Sequence, residues 1–482
     1  MLRRVAFLLL VWIAGPRFGH AQDAGRKFAA AQVKADLAFL YQTLEAAHYN
    51  LYANTSKRVF RRELRRREQA ITGSLTPLQV NRLFQPFVAL AGHGHCITGY
   101  PFKSYNAFLA LGGQVFPFDV RVVQRRLFVT GNYSADSTIR PGDEVLAIYD
   151  VGVGHWLDGI YTYLSGENEY FKNTLIDQIG FPRLFWMVYD QQKTFSIKVR
   201  KASGQVVFVT DAGVPAARYR TIRNSRPGVF KPDRAFQLLD NVAYLRPGQF
   251  LNNEPAPTGG IPRQVYDKGE FVHFIDSAFA QIRRQRASTL LLDLRGNPGG
   301  DNSFSDPLVA YFATKPFQFN SSFSIKTSSI TKSFWQKVQD PALAELKNQI
   351  LSAPDGSVFQ AALHPYPPRP DSLRFTGPVY VLVDRYTYSN ATTVAALIQD
   401  YKFGQIIGEP TAESPTLYAA VHEFELPHTK IGVTYPKAFM VRPNGRKSLQ
   451  GVTPDLRAVD NVFTPEDEAL QWALNYIKGS KR

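Results

Sequence analysis

Two apolar runs constrain the fold more than any other feature of the chain. "STLLLDLRGNPGGD", Ser288 to Asp301, and "GPVYVLVDRYTYSNATTVAALIQD", Gly377 to Asp400, each begin as an unbroken apolar strand and end in a turn of small and polar residues. A strand that is apolar on both faces has to be covered on both faces, as in a parallel sheet flanked by helices. The covers are legible in the sequence. Phe271, Phe274, Ile275, Ala278, Phe279 and Ile282 recur at i, i+3, i+4, i+7, i+8 and i+11, one face of an amphipathic helix. Ala391 to Ile398 read as another helix. "SDPLVAYFAT" begins a third, with Ser305 as its cap. "DNVAYLRPGQF" and "GQIIGE" add strands. This alternation predicts an α/β region over residues 235–482, built on a buried, largely parallel sheet.

At 482 residues the chain exceeds one ordinary core, and its texture divides it. "MLRRVAFLLLVWIAGPRFGHAQ" has two arginines, an apolar run from Val5 to Ala14 and small residues ending at Ala21. That is the pattern of a secretory signal over residues 1–21, and the run is too short to span a bilayer. The expectation is an exported protein with no stable membrane insertion. The sole cysteine, Cys96, reads as a small buried hydrophobe. Residues 22–100 are helical: Val33, Leu37, Leu40 and Leu44 share a face, and Ser74 or Thr76 caps a helix with Pro77 in its first turn. Residues 101–223 turn to short β-like runs, among them Thr194 to Val199 and Gln205 to Thr210. This predicts a mostly β domain, followed by a linker at 224–234. The net charge of +16 raises the question of nucleic acid. The densest basic run, Lys57 to Ala70, places Phe60 and Leu64 four apart, so its arginines form the wet face of a helix, and no nucleic-acid-binding module accompanies them.

Chemistry concentrates at the strand ends, where open α/β sheets place their sites. Gly296, Gly299 and Gly300 follow the first strand with the spacing of neither a dinucleotide fingerprint nor a phosphate loop. A glycine turn of this kind presents N–H groups to an oxyanion. Ser389 follows the second strand at the start of a helix. It has two possible jobs there: capping the helix, or acting as a nucleophile beside the N–H groups of the helix start. A serine nucleophile needs a base, and "GHGHC" offers His93 and His95. His-x-His also suits a metal, but no HExxH helix or cysteine pair accompanies it, and "HEFEL" at His422 lacks a second histidine. No metal and no cofactor is implied.

These segments, in this order and spacing, resemble the tail-specific, or C-terminal-processing, serine peptidases. "LLLDLRGNPGGD", "YVLVDRYTYSNATTVAALIQD", "IIGEPTAES" and "GVTPDL" are similar to the family's core, "IRPGDEVLAIYD" to a turn of its PDZ-like domain, and "ALAGHGHCITG" to the histidine segment of its tricorn-core-like branch. The resemblance implies a crotonase-like catalytic core with an N-terminal helical domain and a PDZ-like domain. It implies Ser389 as nucleophile, His95 as base, and the N–H groups of Gly300 and Asn390 as the oxyanion hole. Asp400 matches an acid that supports the core. The substrate implied is a polypeptide, cleaved through an acyl-enzyme.

The chain also departs from the family. The lysine branch has its base twenty-five residues after the nucleophile, where this chain has Ser414, and Lys402 falls in the surface turn after the helix. The tricorn core has a serine where this chain has Gly94, an acid where this chain has Lys447 to Gln450, and many relatives have aspartate where this chain has His93. Glu409 and Glu413 are the candidates left to orient His95. Two rival functions follow: a catalytically weak or inactive peptide-binding protein, favoured by the missing acid, and a small-ester or crotonase-type enzyme, since fold does not fix chemistry.

Overall fold

The computed structural model describes residues 26–479 except 191, 212, 227, 253–264 and 340–342. The expected signal, residues 1–21, lies outside the described residues. No described helix is long and apolar enough to cross a membrane.

The α/β region is organised by a six-stranded sheet in the order Ala235–Leu239, Val242–Arg246, Thr289–Asp293, Val379–Val383, Gln405–Gly408, Leu456–Arg457. The first pair is an antiparallel hairpin, and every later pairing is parallel. The two apolar runs are therefore neighbours, with Asp293 opposite Leu382, and their carboxyl ends open side by side. The helices Gly269–Gln285 and Asn390–Tyr401 cover one face through Phe271, Ile275, Phe279, Val394 and Leu397. The helix after the glycine turn runs over Asn302–Val309 and is capped by Asp301, whose Oδ1 accepts from Ser303 N–H at 2.8 Å. Ser305 is not the cap. Asp301 supplies the acceptor earlier in the chain, and Ser305 is buried within the helix, its Oγ accepting from Asn390 Nδ2.

A second sheet has no counterpart in the sequence reading. Its centre is the strand Gly432–Val441, flanked by Leu417–Glu425, Ser322–Lys326 and Ile97–Thr98, with Val358–Gln360 at the edge. The N-terminal helices Ala30–Ala47, Lys57–Ala70 and Pro77–Val88 share one core with this sheet, in which Leu40, Phe60 and Phe84 meet Leu426, Val433 and Tyr435. Thr76 caps the third helix in a reciprocal box with Gln79. On the second helix Arg58, Arg61, Arg62, Arg65 and Arg66 are exposed and Phe60 is buried, as its spacing predicts, but Arg67 is buried as well, paired with Glu63 and donating to Leu83 O.

The middle region carries a five-stranded antiparallel path of Phe118–Val123, Arg126–Asn132, Glu144–Ile148, Phe195–Arg200 and Val206–Asp211. It is less β-rich than its sequence texture suggests. Helices Val153–Tyr163, Glu169–Ile179 and Phe181–Tyr189 are inserted between its third and fourth long strands, and Leu157, Ile160, Tyr161 and Leu164 at helical spacing join its core. The expected linker at 224–234 is bonded down: Lys231 N–H donates to Gly296 O at 2.7 Å, which ties it to the glycine turn.

Candidate active site

Ser389 sits in a backbone conformation that ordinary residues avoid, φ 54° and ψ −123°, between the strand Val379–Val383 and the helix Asn390–Tyr401. Its side chain makes no capping hydrogen bond to the helix start. Instead Oγ lies 3.4 Å from His95 Nε2. Of the two roles open to this serine in the sequence, the helix cap is the one its side chain does not perform.

The surroundings hold the strained turn in place. Thr393 N–H donates to Ser389 O, and Tyr388 N–H donates to Asn297 O. Gly299, at φ +88°, abuts the turn so closely that a Cβ there would lie 2.9 Å from Ser389 Cβ and 2.8 Å from Asn390 N. Only glycine fits between the two strand ends. Beside it, Phe250 N–H donates to Gly299 O and Asp301 N–H to Phe250 O. Among the described residues, no acceptor takes the N–H of Gly300 or of Asn390. The turn thus leaves two N–H donors unspent next to the serine.

His95 reaches the site from 294 residues away. Gly92, in the left-handed region, ends the preceding helical turn, and Ile97–Thr98 then pairs with Val433 and Thr434. The ring of His95 stacks on Tyr388, with centroids 5.4 Å apart. His93, next but one, turns away and packs on Tyr418 and His48. Gly94, which stands where the resembled branch has a serine, has no room for one: a Cβ would lie 2.4 Å from the Phe171 ring. Cys96 is fully buried, as a small hydrophobe would be.

Of the two candidate acids, Glu413 is the one beside His95. Its Oε1 lies 3.1 Å from His95 Nδ1, and its Oε2 accepts from Ser389 N–H. One carboxyl group therefore touches both the serine backbone and the histidine ring. Glu409, the other candidate, is spent on Arg385. Ser414, at the position of the lysine branch's base, is a structural hydroxyl bonded to Ser448 O, and Lys402 is an exposed residue closing the helix. Asp400 bonds Arg442 and Asn444 and stays out of the site.

Burial pushes His95 down to about 4, with His93 adding to the effect, so the ring is neutral at physiological pH, as a base must be. Burial also pushes Glu413 well above the ordinary carboxylate range, and the nearby carboxyl of Glu167 reinforces the shift. Glu413 Oε1 lies near His95 Nδ1 without the alignment of a hydrogen bond. An ionised Glu413 there favours the tautomer with N–H on Nδ1, which leaves Nε2 free to accept a proton.

Residues 241–458 match the family model described as peptidase family S41. The chain carries a peptidase family S41 domain. The protein is thereby a serine-type peptidase, a hydrolase of polypeptides. The S41 domain includes Ser389, Asn390, Gly300 and Glu413 and leaves His95 outside the matched segment. Among solved structures, mature CPAF is similar over 93% of this chain and 96% of its own, with a TM-score of 0.62 at 14% identity. Mature CPAF complexed with lactacystin matches over 94% and 98%, with a TM-score of 0.61 at 14% identity. The photosystem II D1 C-terminal processing protease aligns over 88% and 92%, with a TM-score of 0.42 at 13% identity. At these identities the likeness to CPAF speaks to the fold, and the roles of individual residues rest on the geometry above.

Proposed function

We propose that this S41 protein is an exported endopeptidase that works through Ser389, His95 and Glu413. The observation that carries the reading is the single carboxyl group of Glu413, held between Ser389 N–H and His95 Nδ1 while His95 Nε2 faces Ser389 Oγ. His95 takes the Ser389 proton as Oγ bonds to the peptide carbonyl carbon. The N–H groups of Gly300 and Asn390 receive the oxyanion. The C–N bond then breaks as His95 returns the proton to the departing amine, and water, deprotonated by the same nitrogen, hydrolyses the acyl-enzyme. The sheet around Gly300 and Ser389 supports a crotonase-like core. The antiparallel middle sheet supports a PDZ-like module, with Val206–Asp211 as an edge to which a peptide strand can add.

The rival reading, an inactive peptide-binding protein, rests on a histidine lacking its acid, and the position of Glu413 beside His95 supports the peptidase reading instead. A fluorophosphonate probe, with peptide hydrolysis read alongside, tests the proposal. Wild type should label and cleave. Ser389→Ala should do neither, losing ~10⁴-fold or more in turnover with an unchanged melting temperature, because its hydroxyl caps nothing. A mutant that melts early and still cleaves would return Ser389 to a structural role.

A further inference from the structure

His95 lines a cavity of about 360 Å³. That is within the size range of sites that enclose a small ligand group. It forms where all three regions meet. His95 and Tyr388 are part of its lining, and Leu164, Leu175, Ile179 and Val421 are among its apolar walls. Three polar side-chain atoms in this lining are buried without a hydrogen-bond partner: Arg183 Nε, Gln178 Nε2 and Asn81 Oδ1. Buried polar groups are ordinarily satisfied, so three orphans around one cavity mark a place where a ligand completes the set.

Their chemistry specifies that ligand. Arg183 and Gln178 are donors, and they sit one helical turn and a bend apart, at the end of Glu169–Ile179 and in Phe181–Tyr189. Arg183 is a cation under all physiological conditions. Among the described residues no carboxylate is within ion-pair distance of it. Asp119, which acts on it from longer range, bonds Tyr133 and faces Arg223 and Arg226. A partly buried guanidinium with an idle N–H, at the wall of an apolar cavity, calls for an anion that brings its own apolar covering. The remaining orphan, Asn81 Oδ1, is an acceptor suited to a substrate N–H.

We propose that this cavity is a specificity pocket that receives a carboxylate carried on an apolar stem, with Arg183 and Gln178 as its ligands. The inference rests on the peptidase reading of Ser389 and His95. The carboxylate has two possible sources, an acidic side chain beside the cleaved bond or the free terminus of a short leaving segment.

The test uses full-length protein and two peptide series around one cleavable sequence. One series compares Glu with Gln at each residue flanking the scissile bond, and the other compares a free with an amidated C-terminus. In at least one series the carboxylate form should exceed its neutral partner in kcat/KM by ~10-fold or more, the range of a charge-assisted hydrogen bond. Arg183→Leu should bring that ratio close to one by slowing the carboxylate substrate and sparing the neutral one. Gln178→Leu should reduce the ratio by about 3-fold, and stands in if the arginine variant fails to fold. Equal rates in both series, or an Arg183→Leu variant that slows all substrates alike, would overturn the pocket and leave the peptidase reading intact. Fluorescence anisotropy on Ser389→Ala with the same labelled peptides separates the two ideas. Selective binding of the carboxylate form in a protein whose wild type cleaves nothing would keep the pocket and remove the peptidase reading. Unselective binding overturns the pocket by itself.

Discussion

Glu413→Gln changes two atoms' chemistry and almost no volume, and the structure fixes what it should do. The amide oxygen has to face Ser389 N–H, because the alternative sets two donors against each other in a buried site. The NH₂ then faces His95 Nδ1, where the carboxylate oxygen had been at 3.1 Å. An N–H donor there pins the ring in the tautomer with its proton on Nε2, the wrong one for a base. The carboxylate's charge is lost as well. One unit charge at 3.1 Å from the imidazolium, at an effective dielectric of about 20, is worth about 5 kcal/mol. That is equivalent to ~10⁴-fold in rate. Glu413→Gln should therefore lower kcat by ~10³- to 10⁴-fold in a peptide-hydrolysis assay, with the melting temperature shifted by no more than a few degrees. Glu409→Gln breaks only the pair with Arg385 and should keep most of the rate. A Glu413→Gln enzyme retaining more than about a tenth of wild-type kcat would refute the orienting role.

His95→Ala should lower kcat by ~10³-fold or more while Lys402→Ala leaves it unchanged; the opposite result would mean that a lysine is the base. If ionised Glu413 sets the His95 tautomer, kcat/KM should rise with pH on the acid side, with its midpoint above the ordinary carboxylate range because burial and Glu167 raise Glu413. Glu167→Gln removes a charge that favours protonated Glu413, so the midpoint should move to lower pH; a fixed or rising midpoint would show that the limb belongs to another group. Sequencing of the exported protein should begin at Gln22, and an intact Met1 would contradict the signal.

How much of this was legible in the sequence depended on how local the cause was. The parallel sheet was legible because a strand apolar on both faces admits few other environments, and with it came the glycine turn and Ser389 at adjacent strand ends. The second sheet was not. Its central strand contains Pro436 and the buried Lys437, which argue against an interior strand, and Leu417–Glu425 mixes His422 and two glutamates into its pattern. Tertiary context supplies the partners, with Lys437 Nζ donating to Ala420 O. Ser305 was misread because Ser, Asp and Asn cap equally well, and Asp301 comes first in the chain. Glu413 could be named but not chosen over Glu409, since both sit just past the same strand. What separates them is which one faces His95 and which faces Arg385, and no spacing encodes that.

The two-residue strand Ile97–Thr98 has a consequence for how the protein comes to life. It holds the histidine by pairing with Val433 and Thr434, on the far side of the whole sequence. A chain still being synthesised through Glu413 already contains serine, histidine and acid, yet has nothing to bring the histidine to the other two. Closing a loop of that length is among the slower steps a folding chain takes. The proposed site is therefore complete only when the N-terminal region is docked on the hairpin of Leu417–Glu425 and Gly432–Val441.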